Sequence, residues 1–562
     1  MKSEKLRRAL PWIVLGGVYA LLLVFFALFG SHHLYADLST DMVMAKFLNG
    51  EGALISQNLW YTTELRMFNV VNVYQLGMLL FPNDWHLVRL FAVAVMLAGM
   101  TGAFLYLGRA AGLKQAHIWG AAVLMLPVSY YYVFVVTYGL AYVGYETLAF
   151  LQAGLVLRLS EDGSKGARHW LKLLLLILIA LAGGLQGMRM VMLSAAPTAA
   201  AMLALFILRA VRSKSFRELL KTREMKLLLY AIINAAAVLA GYLVNAKLLT
   251  RSYSYQTFDA MLFNSLSFEG ILKQLDYLGK MLGTDGPLKS TAVNGVRTLY
   301  AEGQGGLSLG GMLTAVAGVL TIFLLVTAAV MIIRSEKLRL TVPQKAFAML
   351  TAVSVAMGIL INTLTGMGGG YSSGACYYMV GVMLLMVSGF FLLEKLDFAS
   401  ENIRTAAMTL LFCVFFALAF GTLRSENLPK HDTAYEKAAD WLVENDYTEG
   451  YSPFWSAAVL TECSDGRVEM WSIPYLNMPE SINCWGQAKA HDWVKPQGRT
   501  FFFYIGEADS EEAQELMRWM GREPEWADVE DGLVYMIYAD ENTEALYAPM
   551  RAALTAGEEE TP

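Results

Sequence analysis

Apolar runs of about twenty residues recur along this chain, and that recurrence decides its class. Inside a bilayer no water satisfies open backbone groups, so each crossing takes about 20 mostly apolar residues wound as a helix. The chain has 562 residues, of which 56% are hydrophobic and 16% charged; soluble globular proteins run at roughly 45–50% and about 25%. That excludes a disordered chain, a collagen-like repeat and a disulfide-stapled mini-domain, and it fits a soluble enzyme poorly. The expected fold is a polytopic α-helical membrane bundle with a small C-terminal extracytoplasmic α/β domain.

Charge sets the orientation. Residues 1–423 hold 33 Lys and Arg against 20 Asp and Glu, whereas residues 424–562 hold 10 against 28. A basic membrane portion is thus joined to an acidic tail, which argues against nucleic acid as a partner. Basic loops stay in the cytoplasm. By that rule the segments 109–114, 158–168, 209–226 and 334–345 lie inside. Crossings fitted between them fall near 10–30, 86–108, 116–136, 140–159, 170–186, 190–210, 227–248, 307–333, 346–364, 372–394 and 404–423, about 11 spans. The first follows Lys2, Lys5, Arg7 and Arg8 and reads as an uncleaved anchor, because its apolar stretch exceeds a signal-peptide core and no small-residue cleavage pair follows. An integral plasma membrane protein results, with a cytoplasmic N-terminus and residues 424–562 outside.

Domain 1–423 then carries two long outer loops, 31–85 and 249–306. Within the first, Met67 to Phe81 is a separate apolar run ended by Pro82-Asn-Asp84. It reads as a juxtamembrane or re-entrant helix, or half of a broken span. The second loop mixes Tyr253, Tyr255, Phe258, Leu262, Phe263 and Leu266 with polar residues, as interfacial amphipathic helices do. In the tail, 432–445 and 510–520 have helical spacing, the latter with Ser510 as cap. The runs 456–461, 468–473, 500–505 and 533–538 read as strands, with turns at Asp465-Gly466 and Asp531-Gly532. Seven of the 12 Trp lie here (441, 455, 471, 485, 493, 519 and 526). Their faces suit core packing and the membrane interface, and suit sugar rings as well. Cys376 and Cys413 fall in spans. Cys463 and Cys484 share the tail, either as two buried thiols or as a disulfide. No metal-ligand spacing, phosphate-binding glycine loop or nucleophile elbow is present.

The residues able to do chemistry gather at the expected outer ends of spans. Asp37 and Asp41 stand four apart just after the first span, on one face if the segment is helical. Glu64 and Arg66 close the stretch Trp60 to Arg66. Glu146 interrupts the aromatic segment Tyr138 to Glu146, and Arg189 ends the glycine-rich turn Gly183 to Arg189. Ionisable groups near membrane depth are costly and are usually functional or paired. Each has a plainer reading: a solvated loop acid for Asp37, a helix-surface charge for Asp41, a mutual pair for Glu64 and Arg66, and a snorkelling side chain for Arg189.

One N-terminal span, an outer loop opening with Asp37 to Lys46, then Trp60 to Arg66, Phe81 to Arg89 and Tyr138 to Glu146: this pattern resembles the C-type (GT-C) polytopic membrane glycosyltransferases. That superfamily includes protein O-mannosyltransferases and bacterial aminoarabinose and arabinofuranosyl transferases. The resemblance covers residues 1–200 in pattern and the rest in architecture. Asp37 and Asp41 are separated by three residues, where the family has an adjacent acidic pair. The resemblance implies a sugar moved from a polyprenyl-phosphate carrier to a glycan, lipid or protein acceptor outside the cytoplasm, with inversion. Asp37 would be the catalytic carboxylate, with Asp41 as second choice. Arg66 and Arg189 would bind the donor phosphate, and Glu146 and Glu64 would orient the acceptor or a metal. A divalent cation (Mg or Mn) would serve the same charge. Membrane lipids would be partners throughout. Two other readings stay open: a transporter or flippase of lipid-linked or polar solutes, and a non-catalytic envelope protein of the same fold that binds glycan. An internal repeat with broken helices near midplane would mark the transporter.

Overall fold

The computed structural model describes every residue except 1, 30–33, 35, 62–64, 66–68, 133–134, 137–139, 162–165, 214, 256–265, 285–308, 366–378, 426–432, 474–497, 531, 550–551 and 553–562. Glu64 and Arg66 therefore lie outside the described residues, as do Cys376, Cys484, Trp485, Trp493 and Asp531. The chain divides into two compact units. One comprises Met1–Val24, Val93–Leu249 and Asp259–Leu428; the other comprises Phe25–Ala92, Thr250–Phe258 and Pro429–Pro562.

The first unit is helical. Across the described residues, eight helices are long and apolar enough to cross a membrane: Glu4–Leu28, Trp85–Ala110, Ala167–Gly184, Val191–Val211, Arg223–Arg251, Gly311–Ile333, Val342–Leu364 and Glu401–Leu423. The chain is an integral membrane protein of the polytopic helical class. Leu140–Leu159 is one further continuous helix, and Met379–Lys395 another of 17 residues. The expected span 116–136 is not continuous. A helix runs over Ala116–Val123 and stops before Pro127; beyond it, in the described part, Tyr130–Tyr132 is α-helical and residues 135–136 are π-helical. Proline has no N–H to donate and disfavours helical backbone in the residue before it.

Two helices of this bundle touch through glycine. A Cβ on Gly184 would lie 2.0 Å from the Val238 carbonyl oxygen, and one on Gly241 would lie 2.3 Å from that of Leu181. Small residues let helix backbones meet where there is no hydrophobic drive between them. The contact fixes the end of Ala167–Gly184 and hence the turn that leads to Arg189. A helix predicted in the loop 249–306 is present at Phe268–Met281, capped by the Ser267 side chain, which accepts from the Gly270 N–H.

The second unit combines the segment Phe25–Ala92 with the tail. Helix α1 (Lys2–Phe29) ends within it. Helix α2 covers Ala36–Glu51 and α3 covers Val70–Leu80. The start of α4 (Trp85–Ala110) completes the segment. The apolar run after residue 66 is thus its own helix. Asn69 caps it by accepting from the Val70 N–H, and the chain breaks at Phe81 before Pro82. Two short strands, β1 (Trp60–Tyr61) and β2 (Ser254–Tyr255), pair in parallel.

The tail is a five-stranded mixed sheet. Its strands are β3 (Glu449–Pro453), β4 (Glu469–Ile473), β5 (Thr500–Glu507), β6 (Trp526–Glu530) and β7 (Leu533–Asp540), in spatial order β4-β3-β5-β7-β6. Pairing is parallel for β3 with β4 and β5, and antiparallel for β5–β7 and β6–β7. Central β5 is buried on both faces. Phe501 and Phe503 join one core with Leu442 and Leu460, while Phe502 and Tyr504 join another with Leu516 and Tyr538. That explains its unbroken aromatic run, since alternate side chains enter opposite cores. Trp441, Trp471, Trp519 and Trp526 pack into or against these cores, whereas Trp455 is exposed.

One expected strand is a helix. Residues 456–461 lie within Phe454–Cys463, which links β3 to β4. Parallel neighbours need a crossover connection, and a helix supplies it. Its apolar residues read equally well as strand when the run is taken alone. Strands β3 and β6 were not anticipated from the sequence.

Candidate active site

Helix α2 is embedded rather than amphipathic. Leu38, Ser39, Thr40, Asp41, Met42, Met44, Ala45 and Leu48 are all buried. It packs on α3 and on the helix Phe454–Cys463. It ends at Gly52, whose φ of +65° suits glycine. Asp37 sits in its first turn, where the partial positive charge of a helix N-terminus favours an acidic side chain.

The two aspartates sit in different surroundings. Asp37 is half-buried, whereas Asp41, one turn on, is 2% exposed. Next to Asp41 lies Arg89, in the second turn of α4 and 4% exposed. Its Nε donates to Glu462 Oε1 at 2.5 Å and its Nη2 to Glu462 Oε2 at 2.6 Å. Its Nη1 donates to the Tyr74 hydroxyl at 3.0 Å, and Nη2 also reaches the Leu38 carbonyl at 3.3 Å. The guanidinium carbon stands 5.5 Å from the centre of the Tyr74 ring. Burial pushes the Tyr74 phenol above its ordinary range; Arg89 opposes that shift, while Glu462 and Asp41 add to it. A buried guanidinium is tolerable only when carboxylates and other acceptors take up its donors.

Two more links tie the tail to the same helices. The Trp85 N–H, at the start of α4, donates to Asp465 Oδ1 at 2.8 Å. Lys46 Nζ, on α2, donates to the Gly466 carbonyl at 2.8 Å and to Glu469 Oε1 at 2.9 Å. Asp465 and Gly466 form the turn between the helix Phe454–Cys463 and β4, with φ of +53° and +72°. A Cβ on Gly466 would meet Trp85 Cζ2 at 2.5 Å, so close approach as well as backbone conformation requires glycine there. The tail stretch 462–469 thus holds α2 and α4 through three separate acidic side chains.

Glu146 and Arg189 belong to the first unit. Glu146, on the helix Leu140–Leu159, is 1% exposed, and neither of its carboxylate oxygens has a hydrogen-bond partner among the described residues. The Arg189 guanidinium lies over the rings of Tyr142 and Tyr145 on that helix, 5.4 and 5.9 Å from their centres. Arg189 follows a tight turn in which Gly187 has φ of +97°, and it precedes a π-helical turn, Val191–Ala195. Such turns recur at functional sites. Within it, the Ser194 hydroxyl donates to buried Gln152 Oε1 at 2.6 Å.

The structure therefore groups the expected residues in two sets, Asp37 with Asp41 and Glu146 with Arg189. Arg89, Tyr74 and Glu462 join the site without standing among the residues the sequence singles out. Arg89 had a signal, a cation at the start of an apolar span after Pro82-Asn-Asp84. Glu462 had none, since its segment read as a strand. Among the described residues no three Asp, Glu, His or Cys side chains converge as ligands for a metal ion.

No family model matches the chain, and no curated protein does. Among solved structures, it is similar to the Archaeoglobus fulgidus oligosaccharyltransferase in complex with Zn and sulfate. The TM-score is 0.47 at 13% identity, covering 86% of this chain and 67% of that one. It is also similar to ArnT from Cupriavidus metallidurans in the apo state, with a TM-score of 0.45 at 12% identity over 94% of this chain and 98% of that one. The same protein bound to undecaprenyl phosphate gives 0.43 at 13% identity over 94% and 98%. Likeness at this level fixes neither fold nor activity.

Proposed function

We propose that the chain is a membrane glycosyltransferase that moves a sugar from a polyprenyl-phosphate carrier to an acceptor hydroxyl outside the cytoplasm, with inversion. The observation that carries this reading is the unequal setting of two carboxylates one turn apart. Asp41 is sealed beside the Arg89–Glu462 pair, so it serves the architecture. Asp37 is half-buried at a helix start, so a substrate can reach it.

In the reaction, the acceptor oxygen attacks the anomeric carbon on the face opposite the phosphate. The bond from that carbon to the phosphate oxygen breaks, and its electron pair leaves with the polyprenyl phosphate. The acceptor proton passes to the Asp37 carboxylate, a general base held within hydrogen-bond reach. The leaving phosphate gains negative charge, which a guanidinium meets with paired donors. Arg66, close in sequence to Asp37, is the candidate for that role, and Glu64 for orienting the acceptor. No step is assigned to a metal ion.

The test is transfer in proteoliposomes from a panel of defined polyprenyl-phospho-sugars, read by release of polyprenyl phosphate and labelling of the acceptor. At least one donor should give turnover dependent on the protein. No turnover with any donor, together with movement of intact lipid-linked sugar across the membrane, would favour the flippase reading instead.

A further inference from the structure

The first unit contains a cavity of about 290 Å³ that no catalytic residue touches. It opens between the ends of Val191–Val211 and Gly311–Ile333 and the starts of Arg223–Arg251 and Val342–Leu364. Leu208 and Met331 form part of its apolar wall, and Arg209, Arg212 and Lys345 carry its positive charge. Two acids face them, Glu224 and Glu336. Glu336 is shared: its Oε1 accepts from Arg212 Nη1 at 2.7 Å and from Lys345 Nζ at 2.9 Å. Those hydrogen bonds, Lys345's first, hold the Glu336 carboxyl below the usual carboxylate range. Glu224 lies in the first turn of its helix, where the helix dipole already favours a negative side chain. Arg209 has no ion-pair partner among the described residues, and the cavity as a whole keeps one net positive charge.

Donors also remain unused on the shared pair. Among the described residues Arg212 commits Nη1 alone to Glu336, and Lys345 one of its three N–H groups, so three cations can still offer N–H groups to an anion at one spot. Directly beside that spot the helix surfaces are apolar and outward-facing: Ile207, Leu208 and Ile333 are among the exposed hydrophobic residues. A ligand with an anionic head and hydrocarbon chains matches both features. Basic pockets between helices at the cytoplasmic edge of a membrane take phospholipid headgroups.

We infer that this cavity is a binding site for an anionic phospholipid, its phosphate held by Arg209, Arg212 and Lys345 and its chains lying along the apolar wall.

The test uses the whole protein, purified and delipidated in detergent, then titrated with phosphatidylglycerol, phosphatidylcholine or glycerol phosphate. Binding is read by native mass spectrometry and by thermal stability. Phosphatidylglycerol should bind about tenfold more tightly than phosphatidylcholine, which corresponds to about 1.4 kcal/mol. Glycerol phosphate, which has the head without the chains, should not stabilise the protein at the same concentration. Replacing Arg209, Arg212 and Lys345 together by Gln should abolish the preference. Glu336→Gln should act the opposite way, tightening phosphatidylglycerol binding by releasing two cations, and it removes no donor. Equal binding of both lipids, a preference that survives the triple replacement, or no gain in Glu336→Gln would overturn the inference. Glycerol phosphate binding as tightly as the lipid would reassign the cavity to a free anion.

Discussion

Arg89 and Glu462, 373 residues apart in sequence, form a two-pronged ion pair with side chains only 4% and 5% exposed. The pair sits against α2, and through the Leu38 carbonyl it touches the turn that follows Asp37. A buried pair of this kind contributes little net stability against an apolar replacement, yet breaking it is costly because one charge is left alone.

Glu462→Gln and Arg89→Met should therefore each destabilise the second unit by about 3–5 kcal/mol. The double replacement Arg89→Met with Glu462→Gln should cost less than the sum of the two. Thermal unfolding and limited proteolysis of the tail would measure this. Additive losses would mean that the two side chains do not act as a pair.

Gly466→Ala should lower the stability of the same unit, since its Cβ would stand 2.5 Å from Trp85 and its φ is +72°. Strain at such a position costs on the order of 1–3 kcal/mol. Gly521→Ala is the matched control, because its φ is +61° and nothing among the described residues lies within 4 Å of its Cβ. Equal behaviour of the two variants in thermal unfolding would contradict the packing described at Trp85.

Much of the architecture was legible in the sequence, because length and apolarity alone specify a crossing helix. The α3 helix, the Ser510 cap and the Asp465-Gly466 turn were readable from local chemistry for the same reason. The helix Phe454–Cys463 was not, since its ten residues carry apolar side chains on several faces and only the parallel pairing of β3 with β4 demands a crossover. The site divided along the same line. Asp37 and Asp41 stood out as acids beside a span, but which of them is sealed depends on Glu462, which meets Arg89 only in the folded chain.

Asp465 gives a pH signature. Burial raises its carboxyl above the usual range, and the Trp85 N–H opposes that shift without cancelling it. The folded state thus holds the proton to higher pH than the unfolded state does. Stability falls as pH rises from the unfolded value through the folded one, and the full cost of ionisation is present above it. Asp465→Asn keeps an oxygen acceptor for Trp85 and removes the ionisation. The variant should match wild type in acid and exceed it at neutral pH, in melting temperature recorded against pH. A difference that grows as pH falls would contradict the shift.

Cys463 has no disulfide partner among the described residues. Burial pushes it well above the ordinary thiol range, with Glu462 and Glu436 adding to the effect. A protonated thiol is a poor nucleophile. Maleimide labelling mapped by peptide mass spectrometry should be slow at Cys463 in the native protein at neutral pH and fast after unfolding without reductant. Native labelling at the rate of a free thiol, or no labelling after unfolding, would refute this placement.

The most direct measurement is sugar transfer from a polyprenyl-phospho-sugar by wild type, Asp37→Asn and Asp41→Asn, with folding checked by proteolysis of the tail. A positioned general base is worth about 10²–10⁴-fold. Asp37→Asn should lose activity on that scale while keeping its proteolytic pattern, and Asp41→Asn should show a weakened fold along with any loss. Full transfer by a folded Asp37→Asn protein would contradict the role assigned to that carboxylate.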